Sequence, residues 1–145
     1  MQDDAQSHSI LITWPEPPTE DKVTGYAVFV GTSSGEYKED KKLCNGQSKE
    51  VIETRECHIP MSTFWEGTYR KDQGTFIGVR VQASNIKGDS DLSPWNVKGP
   101  RVEKVPFQMN RPTATKSMTE AAIILEWEEQ RNPLDGGSPI VSYNL

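Results

Sequence analysis

The sequence predicts an all-β fold, a two-sheet antiparallel sandwich, and three observations carry the prediction. Short apolar runs rich in β-branched and aromatic residues recur along the chain. Turn formers separate them, with ten prolines and eleven glycines spread through 145 residues. No stretch of useful length shows the apolar period of an amphipathic helix.

The elements follow in order. Residues 9–14 (SILITW) alternate, with Ile10, Ile12 and Trp14 on one face and Leu11 and Thr13 on the other. A proline-rich turn follows, and residues 23–31 (VTGYAVFVG) make the next strand. A further strand run is expected over 49–59, ending at Pro60. Residues 61–69 have room for a helical turn and no more. Residues 75–85 (TFIGVRVQASN) are the clearest strand: Ile77, Val79, Val81 and Ala83 fall on one side, Gly78, Arg80, Gln82 and Ser84 on the other. After a turn at 86–89, residues 92–102 supply the last strand.

The pattern then restarts. IILEW at 123–127 echoes ILITW at 10–14, and PIVSYNL at 139–145 echoes KVTGYAV at 22–28, placing Trp14 and Trp127 113 positions apart. The reading is one domain over residues 1–104, then a linker and the first strands of an incomplete second copy over 105–145. About forty residues is short for a lone domain. The second copy is therefore expected to fray unless its open strands pair with something, self-association included.

These residues together resemble the fibronectin type III family, an immunoglobulin-like sandwich. The resemblance rests on Trp14 in the second strand, Tyr26 in the third, and the sixth-strand run Val79, Val81, Ala83, Asn85, Gly88, with Ser90 and Ser93 beyond it. It covers most of residues 9–102 and returns over 123–145 with Trp127 and Tyr143. It implies a tryptophan packed between the sheets and a turn shaped by Asn85 and Gly88. The surroundings of Cys44 and Cys57 are similar to disulfide-bearing repeats of protist, especially ciliate, surface proteins, which implies that these two cysteines pair. The alternative is two reduced thiols. One departure stands out: the family usually has a tyrosine where this chain has Ile77, and Tyr69 is the replacement hydroxyl on hand.

Composition narrows the function. A formal net charge of −5 opposes binding to a phosphate backbone, and no apolar run approaches the ~20 residues of a membrane span. The polar, acidic start is not a signal peptide. No nucleophile elbow, phosphate-binding glycine loop or metalloprotease helix occurs, so no catalytic residue, cofactor or metal site is assigned. Cys44, Cys57, His58 and His8 are the right types for zinc but lack its ligand spacing. Lys87-Gly88-Asp89 lies where integrin ligands carry a related basic-Gly-Asp tripeptide, and also where ordinary turn chemistry explains it. Ser93-Pro94-Trp95 partly matches the Trp-Ser box of cytokine receptors, but Trp95 reads better as core or edge cover.

The resemblance implies a non-enzymatic protein-binding or spacer module of a tandem array, in a cell-surface, adhesion or extracellular-coat protein. Its partners would be other proteins or neighbouring repeats. The alternative is an intracellular cytoskeletal or ciliary scaffold with both cysteines reduced.

Overall fold

Alternation builds the first pair of strands. In β1 (Ser9–Thr13) Ile10 is buried while Leu11 is exposed, and in β4 (Glu56–Pro60) Cys57 and Ile59 are buried between exposed neighbours. The two pair antiparallel, setting Ile10 opposite Ile59 and Ile12 opposite Cys57, so one face of the ribbon is apolar throughout. The computed structural model describes residues 8–114 and 122–144.

A second antiparallel sheet runs in the order β3-β2-β5-β6, from β2 (Gly25–Gly31), β3 (Tyr37–Glu39), β5 (Val79–Asn85) and β6 (Gly88–Asp89). Its register pairs Val28 with Val81 and Val30 with Val79. These side chains share one face, and Val28, Val30 and Val79 join Ile10, Ile59, Phe64, Ile77 and Val102 in a single hydrophobic cluster. Two antiparallel sheets thus contribute to one core, and the described fold is all-β with one short helix. The opposite face of the second sheet carries Phe29 and Gly31 of β2 beside Arg80 and Gly78, with Tyr37 of β3 across from Gly31.

Two stretches differ from the sequence reading. Residues 49–59 do not form one strand: the helix α1 (Lys49–Thr54) precedes β4. Val51, Ile52 and Thr54 favour strand locally, but Ser48 overrides them. Its hydroxyl accepts the Val51 N–H at 3.3 Å, capping the helix start. Arg55 then ends the helix in the left-handed region at φ 57°, its N–H donating to the Val51 carbonyl. Residues 61–69 hold two 3-10 turns, Met61–Phe64 and Gly67–Tyr69.

Residues 92–102 are not a regular strand either. The segment from Ser90 to Asn96 runs along β5 and bonds it at every third residue. Ser90, Ser93 and Asn96 donate their N–H groups to the carbonyls of Ala83, Val81 and Val79. Their side-chain oxygens accept the N–H groups of the same three residues, at 3.1, 2.9 and 2.7 Å. Three residues of the segment therefore cover the length of two residues in β5, roughly 6.6 Å. The segment is contracted, and side-chain oxygens replace the carbonyls that a pleated neighbour would offer. A bridge between Phe76 and Arg101 continues the pairing.

The chain divides into two compact units, Met1–Val102 and Glu103–Leu145. In the second, β7 (Thr113–Ala114) pairs antiparallel with β8 (Leu125–Glu126). A turn over residues 131–137 bonds back to its first residues through Lys104 N–H to the Gly136 carbonyl and Phe107 N–H to the Leu134 carbonyl. The Asn132–Pro133 peptide in this turn is cis.

Candidate binding surfaces

Cys44 and Cys57 are joined in a disulfide, with their Cα atoms 5.7 Å apart. Both lie inside the hydrophobic cluster, 4% and 5% exposed, so the bond is shielded from reductants in solution. It closes the chain around α1, with Val51 packed on the same cluster. Gly46 rides on β2 at this point: its carbonyl accepts the Tyr26 N–H at 2.9 Å. A Cβ there would collide with the Tyr26 carbonyl, so only glycine allows the approach.

Trp14 lies just past β1 with its ring edge-on to Tyr26, centroids 5.1 Å apart. Tyr26 is 4% exposed and Trp14 is half-buried against the cluster. The Trp14 Nε1 is buried with no acceptor. Ile77 is fully buried. The Tyr69 hydroxyl donates to Asp40 Oδ2 at 3.3 Å. Asp40 also accepts the Lys42 N–H on Oδ1, and its carbonyl accepts those of Leu43 and Cys44. Tyr69 thereby ties the second 3-10 turn to the segment entering the disulfide. Burial first, then the Asp40 charge and hydrogen bond, push the Tyr69 pKa up.

Val79, Val81 and Ala83 lie in β5 and Gly88 in β6, with Asn85 opposite Gly88. Asn85 Oδ1 accepts the Lys87 N–H at 2.8 Å, and Gly88 has a φ of 135° that a side chain would strain. Lys87 and Asp89 are both engaged within the unit. Lys87 pairs with Asp21 at 2.6 Å, and Asp89 accepts the Ser84 hydroxyl at 2.6 Å. Neither charge is held out as a free end of the tripeptide. Trp95 is not core or edge cover: it is 61% exposed.

Trp95 instead helps line an open groove of about 600 Å³ on the outer face of the second sheet. Tyr37, Phe76, Trp95, Arg80 and Lys71 all line it. The Arg80 guanidinium is 5.7 Å from the Tyr37 ring centroid, and its Nε donates to the Ser93 carbonyl at 2.8 Å. The Lys71 Nζ donates to the Thr32 carbonyl at 3.1 Å, and burial lowers its pKa. Tyr37 fits only because Gly78 is bare, since a Cβ there would come within 2.7 Å of the Tyr37 hydroxyl. Sequence reasoning singled out Trp95 and placed Arg80 only on a strand face, and it missed Tyr37, Phe76 and Lys71. The available signal was Gly78, a lone glycine inside a strand pattern, which marks close approach.

In the second unit Trp127 and Tyr143 also meet, centroids 5.8 Å apart, and the Tyr143 hydroxyl accepts the Gln130 N–H at 3.3 Å. Among the described residues no three His, Cys, Asp or Glu side chains gather as metal ligands, and both thiols are consumed in the disulfide. No described helix is long and apolar enough to cross a membrane. No family model, no curated protein and no solved structure matches the chain.

Proposed function

We propose that the chain is a non-catalytic protein-binding or spacer module of fibronectin type III architecture, from a tandem array in a cell-surface, adhesion or extracellular-coat protein. The strand order supports the architecture. Immunoglobulin-like sandwiches pair strands B and E in one sheet and run C, F, G in the other. With the Trp14 strand as second and the Tyr26 strand as third, β1-β4 and β2-β5-β6 follow that order.

The observation that carries the location is the Cys44–Cys57 disulfide within the core. Disulfides persist in oxidising compartments and are rare in the cytosol. Partners under this reading are other proteins or neighbouring repeats. The engaged charges of Lys87 and Asp89 direct attention away from the tripeptide and toward other surfaces.

Differential alkylation of the protein taken from its own cells tests the reading. Neither thiol should react under denaturing conditions until reductant is added. Two thiols that alkylate before reduction would move the module to a reducing compartment and favour the scaffold alternative.

A further inference from the structure

We infer that the groove on the outer face of the second sheet is a binding site for an acidic peptide segment that carries apolar side chains beside its carboxylates. The inference rests on the binding-module reading and names the chemistry of its partner.

Charge is the first argument. The chain carries a formal net charge of −5, yet the groove holds two cations, Lys71 and Arg80, and no acid among its lining residues. Glu36 and Glu39, which flank Tyr37 in the chain, do not line it. Among the described residues neither cation is paired with a carboxylate. Each is positioned by one bond to a carbonyl, Lys71 to Thr32 and Arg80 to Ser93. That leaves further N–H donors on both heads for a ligand. An ammonium drawn partly out of water without a counter-charge gains from an arriving anion.

The walls give the rest of the ligand. Tyr37, Phe76 and the exposed Trp95 supply aromatic surface, and Gly31 and Gly78 leave the backbone between them bare. A neutral sugar is best held by carboxylate or amide acceptors, and the lining offers its hydroxyls only those of Thr32, Thr75 and Tyr37. Donors combined with aromatic walls suit carboxylates attached to an apolar body. The volume of about 600 Å³ lies in the range of pockets for small ligands, roughly 300–1,000 Å³, and so takes a few residues of peptide. Exposed aromatic and arginine side chains are also the residues that most often anchor protein interfaces.

The test is a titration of the isotope-labelled full chain, followed by amide and indole NMR signals. The probes are a short peptide of alternating glutamate and phenylalanine, its glutamine–phenylalanine counterpart, and a sulfated oligosaccharide of heparin type. The acidic peptide should shift Gly31, Tyr37, Gly78, Arg80 and the Trp95 indole, more weakly as salt rises. The glutamine peptide should bind about tenfold more weakly, the scale of one charge-assisted bond. Trp95→Ala and Lys71→Gln should each weaken binding at least severalfold with the spectrum otherwise folded; the exposure of Trp95 makes its variant safe for folding. The inference is overturned by shifts elsewhere, by equal binding of both peptides, by an unaffected Trp95→Ala variant, or by oligosaccharide binding without peptide binding. Such a failure leaves the module reading standing, because that reading falls on the cysteine redox state instead.

Discussion

The two units each bring a tryptophan onto a tyrosine, and the pairs differ in what stands behind them. Trp14 and Tyr26 meet at 5.1 Å with an interplanar angle of 67°, Trp127 and Tyr143 at 5.8 Å and 57°. Tyr26 sits in a strand with neighbours on both sides and is 4% exposed, whereas Trp127 is 38% exposed. Every buried hydrophobic residue among those described lies at or before Val102. In the second unit Ile123, Leu125 and Val141 are exposed. An aromatic pair of this kind is a local feature that the nearby chain can bring together. A core needs a second sheet to close over it, and among the described residues only the first unit has two sheets and a disulfide.

Matched truncations break the comparison most directly. Trp14→Ala should lower the stability of the first unit by about 3 kcal/mol, the low end for a large aromatic because Trp14 is half-buried and its unpaired Nε1 goes with it. Trp127→Ala should leave that transition where it is and cost the second unit about 1 kcal/mol or less. Urea unfolding followed by amide signals from each unit reads both effects. Equal losses from the two variants would mean that the pairs are equivalent and that the core matters less than argued.

The disulfide comes next. The 13-residue separation of Cys44 and Cys57 corresponds to about 3 kcal/mol of loop-closure entropy in the chain-entropy picture. A Cys44→Ala, Cys57→Ala double variant should therefore unfold at lower denaturant, with the Trp127–Tyr143 signals unchanged. A midpoint that stays in place would show that the core holds the α1 loop without help.

Two glycines sharpen the comparison at smaller scale. A Cβ at Gly46 would strike the Tyr26 carbonyl, and one at Gly136 the Lys104 carbonyl. Gly46→Ala should cost the first unit about 2 kcal/mol through overpacking. Gly136 also holds a φ of +79°, which adds about 1 kcal/mol for a left-handed residue. Gly136→Ala should thus abolish protection from hydrogen exchange at the Lys104 and Phe107 amides, which bond across that turn. Retained protection at both amides would refute the close contact.

Some of this was readable in the residues and some was not, for reasons that can be named. β1, β2 and β5 lie within the predicted runs, because alternation and β-branched content act together there. The helix at Lys49–Thr54 was missed because its β-branched residues point the wrong way and the deciding feature is one hydroxyl, Ser48. The irregular segment after β6 was missed for a related reason. Ser90, Ser93 and Asn96 recur every three residues, and that spacing signals nothing until β5 lies alongside. The groove needs residues from four separate segments, and only Gly78 hinted at it.

A small effect of a different kind concerns the Tyr69 hydroxyl. Tyr69→Phe removes its bond to Asp40 and should cost about 1 kcal/mol near neutral pH. The pH dependence separates this bond from simple packing. The folded Tyr69 pKa lies above the ordinary tyrosine value of about 10, mainly through burial, with Asp40 adding to it. Its contribution is therefore fully present below pH ~10. It is lost as pH rises from there through the folded value, because the unfolded chain ionises first. Lys71 works in the opposite direction, since its lowered pKa lets the folded state gain as pH rises toward the ordinary lysine value. The difference between wild type and Tyr69→Phe cancels the lysine and isolates the tyrosine. That difference should shrink as pH is raised from about 9 to 11. If it stays constant, the hydroxyl titrates alike in both states, and Tyr69 ties down nothing that its ring alone does not.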